Sequence, residues 1–127
     1  RAADRNDFSP GRETTGMKTV FHVSTPRAAA ISVPKVENLL ADETLDVDAV
    51  AVVFDAGEAI AALERDADVA GDVRPLLDRP VRYAACSNAI RSPAVDESNL
   101  LDGVDVVSSG VGELTRLQGD GYAYVRL

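Results

Sequence analysis

The residue with the sharpest chemistry is Cys86, the single cysteine among 127 residues. One thiol excludes an internal disulfide, which leaves a small core residue or a reactive thiol, free cysteine being among the most buried residue types. Its neighbours bear on the choice. Cys86 follows an apolar strand pattern, Val81–Ala85, and precedes Ser87-Asn88-Ala89, which opens a short helix. In open parallel sheets the ligand crevice lies where strands end and turn into helices. A thiol at such a point meets free amide N–H groups and the positive end of a helix, a setting that favours thiolates. A structural cysteine would more naturally fall inside the strand, where Ala84 and Ala85 stand, so the position favours the reactive reading.

Two further stretches belong to this edge. His22, the only histidine, falls near the end of the first strand pattern, where it either pairs with Cys86 as imidazolium to thiolate or serves as an ordinary hydrogen-bonded side chain. Ser108-Ser109-Gly110 precedes the last helix, and its hydroxyls and amide N–H groups suit an anion cradle as well as a tight turn with an N-cap. The fragment Gly110-Val111-Gly112 half-matches a dinucleotide fingerprint. It lacks the third glycine, and the chain ends before an acidic residue could read a ribose, so nucleotide binding is rejected. Asn88 has a turn role as its plain alternative. One His and one Cys cannot close a structural zinc site, and no metal or cofactor is expected.

The elements that must position these residues alternate. Thr19–Val23, Val47–Phe54, Val81–Ala85, Val104–Val107 and Tyr122–Arg126 read as strands, β-branched and nearly continuously apolar, as in a sheet covered on both faces. Helical patterns lie between them: about 28–40, where Pro34 forces a start near Ser32 or an irregularity; Gly57–Arg65; a short turn at Val73–Leu77; 88–91 and 96–101; and 111–118, stopped by Gly119 and Gly121. Strands alternating with helices predict βαβ units and a mainly parallel sheet, an α/β fold. Residues 1–16 carry no apolar period and read as a disordered extension, so the domain is expected over 17–127. Met17 reads as a translation start as readily as the residues before it read as a genuine tail.

Composition narrows the partners. Twenty-one acidic against 13 basic residues give a net charge of −8, and the basic residues are scattered singly, which excludes the clustered cations a phosphate backbone needs. No apolar run approaches the ~20 residues of a membrane span, and Asp4, Asp7 and Glu13 stand where a signal peptide needs an apolar core; the reading is a cytoplasmic chain. Lysines number only two, and aspartates outnumber glutamates two to one. Such a surface suits a halophilic cytoplasm, where salt screens carboxylate repulsion.

Over roughly Met17–Leu127 the sequence resembles the DsrE/DsrF-like sulfur-relay family. The likeness rests on Lys18-Thr19-Val20-Phe21-His22-Val23, similar to that family's opening strand, and Val36-Glu37-Asn38-Leu39-Leu40. It rests further on Ala85-Cys86-Ser87-Asn88-Ala89-Ile90-Arg91, and on Ser109-Gly110-Val111-Gly112-Glu113-Leu114-Thr115-Arg116-Leu117-Gln118 followed by Gly121-Tyr122-Ala123-Tyr124. The resemblance implies a three-layer α/β/α domain with a five-stranded parallel sheet that assembles into homotrimers or homohexamers. It also implies that Cys86 carries sulfur as a persulfide between donor and acceptor proteins or small thiols. The anion would be stabilised by Ser87–Ala89 and Ser108–Gly110. Two departures stand out: Phe54-Asp55-Ala56-Gly57 replaces a polar loop after the second strand, and Ala89 replaces a threonine. The single thiol makes any transfer intermolecular. The alternatives are an oligomeric module that binds a small anion or ligand without catalysis, and a thiol redox sensor.

Overall fold

The computed structural model describes residues 16–127; the expected extension lies outside them except for Gly16, whose N–H donates to the Asp48 carboxylate at 2.9 Å. Five strands, β1 (Met17–Val23), β2 (Val47–Phe54), β3 (Val81–Cys86), β4 (Asp105–Val107) and β5 (Ala123–Arg126), form one sheet in the order β4-β3-β2-β1-β5. Every pairing is parallel. The chain steps outward from β1 to β4 through helices α1 (Pro26–Leu40), α2 (Gly57–Ile60), α3 (Asp68–Leu77) and α4 (Ser87–Ile90). Helix α5 (Gly110–Gly119) then returns it across the sheet to set β5 beside β1.

Side-chain alternation divides the core in two. Phe21, Val23, Val50, Val52, Phe54, Val81, Tyr83 and Ala85 pack against α1, α2, α3 and the 3₁₀ turn Ala61–Leu63. The intervening Val20, Ala51, Val53 and Ala84, with Val107, pack against Leu114 and Leu117 of α5. The result is a three-layer α/β/α domain, several helices on one face and α5 on the other.

Where boundaries depart from expectation, packing explains it. Helix α1 begins at Pro26, with the Thr25 hydroxyl capping the Ala28 N–H at 3.0 Å, and runs unbroken through Pro34. The carbonyl that Pro34 leaves without its helical partner belongs to Ala30, and both residues are on the exposed side of the helix, where the loss is not buried. Helix α3 extends five residues further upstream than the periodicity suggests, because Ala70, Val73 and Leu76 bury one stripe despite Gly71 and Pro75. The segment expected as one helix over Gly57–Arg65 tightens into 3₁₀ geometry after Ile60, which seats both Ile60 and Leu63 in the core. No helix among the described residues is long and apolar enough to cross a membrane.

Candidate functional site

The carboxyl edge of the sheet, on the α5 face, gathers the residues with chemistry into a row. Register fixes their order: His22 of β1 pairs with Val53 on one side and Arg126 of β5 on the other. Phe54 pairs with Ala85, so Asp55, just past β2, stands level with Cys86, and Cys86 pairs with Val107. Across the sheet the row reads Tyr124 and Arg126, then His22, Asp55 and Cys86, with the loop Ser108–Gly110 closing it beside β4.

His22 is 8% exposed, and both ring nitrogens are engaged. Its Nε2 lies 2.7 Å from Asp55 Oδ2 and 3.3 Å from Ser24 Oγ, while Nδ1 lies 2.6 Å from the Tyr124 hydroxyl and 3.2 Å from Arg126 Nη1. Ser24 also donates to Asp55 Oδ1 at 2.6 Å. Burial opposes ionisation of the Asp55 carboxyl, but the hydrogen bonds from Ser24 and His22 outweigh it. Arg126 and the charge His22 carries when protonated add to them and hold Asp55 below the usual carboxylate range.

These contacts assign the ring's hydrogens. An ionised Asp55 accepts, so Nε2 donates; a guanidinium only donates, so Nδ1 accepts. The imidazole is therefore the Nε2–H tautomer. This is not the arrangement of a nucleophilic triad, in which serine and aspartate take opposite nitrogens of the histidine, because here Ser24 and Asp55 share Nε2.

Cys86 ends β3 as its last strand residue and is 7% exposed. It therefore lies inside the strand rather than just beyond it. None of the hydrogen bonds of His22 among the described residues reaches Cys86, so the imidazole–thiol pair is replaced by an imidazole–carboxylate pair. What stands against Cys86 is the start of α5. A Cβ on Gly110 would lie 2.9 Å from the Asp55 Cβ and 3.4 Å from the Cys86 Cβ. Only glycine lets the helix seat this closely between those two side chains.

The serines of the expected cradle are committed elsewhere. The Ser109 hydroxyl accepts the Gly112 N–H at 2.9 Å as the N-cap of α5, and the Ser87 hydroxyl donates to the Ser108 carbonyl at 2.9 Å. Asn88 is exposed on α4 and takes no part in the bonds that tie the row together. Of the sequence candidates, then, His22, Cys86 and Gly110 meet in the row, while Ser87, Ser108 and Ser109 frame it.

Asp55, Ser24, Tyr124 and Arg126 are the residues that sequence reasoning missed. Asp55 carried a signal, since it directly follows β2 at the very edge already singled out for Cys86. Tyr124 and Arg126 carried none, because only the return of the chain by α5 sets β5 beside β1. Among the described residues no three His, Cys, Asp or Glu side chains are placed to hold a metal ion. A groove of about 410 Å³ lies elsewhere, between α1 and α3, lined by Ala30, Val33, Pro34, Glu37, Gly71, Asp72 and Pro75.

No family model and no curated protein matches the chain. Several solved structures do, among them the following two. A protein of unknown function from Methanobacterium thermoautotrophicum, MTH1491, is 39% identical with a TM-score of 0.77, over 87% of this chain and 99% of that one. A conserved protein of unknown function from Bacteroides thetaiotaomicron, BT1422, is 15% identical with a TM-score of 0.55, over 87% of this chain and 94% of that one, a likeness of fold.

Proposed function

The chain belongs to the family of MTH1491, a protein of unknown function, and we propose, from the site and not from that kinship, that it is a cytoplasmic sulfur carrier, working at high salt, that holds sulfane sulfur on Cys86. The observation that carries the reading is the seat of the only cysteine: the carboxyl end of an inner parallel strand, against the first residue of a ten-residue helix and level with Asp55. Of the first four N–H groups of α5, those of Gly112 and Glu113 are taken by the side chain and carbonyl of Ser109. Those of Gly110 and Val111 have no partner among the described residues and suit a terminal persulfide anion beside the helix start. The sequence resemblance to sulfur-relay proteins at Ala85–Arg91 supports the same assignment.

The step balances without an outside oxidant. The Cys86 thiolate attacks the outer sulfur of a donor persulfide, R–S–SH; the new bond forms as the donor S–S bond breaks, and the donor leaves as a thiol once it takes the proton. An acceptor thiolate then removes the outer sulfur by the same displacement and restores Cys86. Because the thiol is nearly buried, the donor must approach along the sheet edge.

Incubation with a persulfide donor, followed by intact-mass measurement, tests this. One sulfur atom is expected on the wild type, removable by cyanide, and none on Cys86→Ser. A wild type that gains no sulfur overturns the carrier and leaves the binding module. Gain of oxygen instead, or a disulfide between subunits, with no sulfur taken up, would make Cys86 a redox sensor.

A further inference from the structure

The His22 end of the row carries one donor too many. Nδ1 of the Nε2–H imidazole has a single lone pair in the ring plane, yet the Tyr124 hydroxyl at 2.6 Å and Arg126 Nη1 at 3.2 Å both aim at it. One lone pair cannot satisfy both. Arg126 forms no ion pair among the described residues, in a chain of net charge −8 whose Arg82 and Arg116 are both paired to Glu113. Tyr124 is 42% exposed while His22 is 8% exposed, so the surplus donors stand at the surface and their shared acceptor beneath it. The Asp55 carboxylate lies on the other side of the imidazole and meets Nε2, not the donors.

We propose that Arg126 binds a small oxyanion, a phosphate or carboxylate group, with Tyr124 as the neighbouring donor that holds His22 Nδ1 in its place. His22 is the acceptor that releases one donor to the ligand while keeping the other, and Asp55 anchors the ring. An incoming oxygen takes the guanidinium N–H and leaves the Tyr124 hydroxyl on Nδ1, relieving the competition while pairing a cation that has no ion-pair partner among the described residues. This goes beyond the sulfur-carrier reading and does not depend on it, since Cys86 stands two strands away from His22.

The lone histidine makes the test direct, because its ring nitrogens give one pair of ¹⁵N signals. In the free protein these should report the Nε2–H tautomer. Titration with inorganic phosphate, and separately with acetate, at constant ionic strength should move the His22 and Tyr124 signals along a saturable curve. The two arms tell a phosphate ligand from a carboxylate one. Arg126→Gln should weaken that binding about tenfold or more, and Tyr124→Phe by less, as hydrogen bonds to charged groups exceed those of a supporting hydroxyl. Lys18→Gln, which changes a cation at the other end of β1, should leave it unchanged. Shifts that never saturate for either anion, or equal loss in Lys18→Gln and Arg126→Gln, overturn the site. Tyr124 and Arg126 are on an exposed edge strand, and thermal unfolding of each variant checks that loss of binding is not loss of fold.

Discussion

On the face covered by α1, α2 and α3, the strands present Phe21, Val23, Val52, Phe54 and Tyr83 to an apolar layer, and the buried hydroxyls of Ser32 and Tyr83 bond to one another at 3.0 Å. On the face covered by α5 the apolar layer is thinner, and charge replaces it at both margins. Glu113, 4% exposed, ties α5 to Arg82 of β3, and the His22–Asp55 pair occupies the carboxyl edge. The two faces share a backbone and differ in what they cover. Several helices cover the inner strands on the first face, whereas a single ten-residue helix packs on the second, and β5 is exposed on both. The polar groups on the second face are buried but partnered, Glu113 by Arg82 and His22 by Asp55 and Tyr124.

That contrast can be broken first on the thick side. Leu63→Ala, at a fully buried position, should cost about 2–5 kcal/mol in urea unfolding, through lost transfer energy and the cavity left behind. The His22 ¹⁵N signals should stay where they are; if they move, the faces are coupled. Ser32→Ala should cost less, about 1–3 kcal/mol, because it strands the Tyr83 hydroxyl in a site closed to water. Burial pushes the Tyr83 phenol up to about 12 from its ordinary value of 10.0. A raised folded-state value gives a contribution that is complete below pH 10 and lost as pH climbs through about 12. Tyr83→Phe should therefore flatten the alkaline limb of the stability profile. On the thin side, Ser109→Ala removes the N-cap of α5 and should cost about 1 kcal/mol, measured by the same unfolding midpoint.

Much of the thick face was legible in the sequence, and the physical reason is locality. The runs Val47–Phe54 and Val81–Ala85 announce strands by continuous apolarity, and the helix over Ala28–Leu40 is read from Val33, Val36 and Leu40. The extent of α3 was not legible, since Gly71 and Pro75 argue against a helix that tertiary packing of Ala70, Val73 and Leu76 enforces. The site was half legible. Cys86 and His22 could be placed at strand ends by pattern alone, but the partner of His22 could not, because a neighbour across a parallel sheet is chosen by strand order. The sheet sets Asp55 next to His22 and Cys86 next beyond it, so the carboxylate takes the ring that the thiol was expected to meet. Tyr124 and Arg126 lie more than a hundred positions from His22, and no periodicity reaches that far.

The smallest effect belongs to Asp55, and it separates the faces by the sign of a pH dependence. Its carboxyl is held below the usual 3.8, so the folded state binds its proton less readily than the unfolded chain. The resulting stability is present above the unfolded value and disappears as pH falls through the lower folded one. Asp42 is held low as well, by Thr44, and adds its own acid dependence to any single curve. The informative quantity is therefore the difference between wild type and Asp55→Asn, in which Asp42 cancels. That difference should shrink as pH falls through and below the ordinary carboxylate range, opposite in sense to the Tyr83 limb. A difference that grows with acid would mean that Asp55 is repelled rather than anchored in the row. The Nε2–H assignment of His22, and the surplus donor built on it, would then fall together.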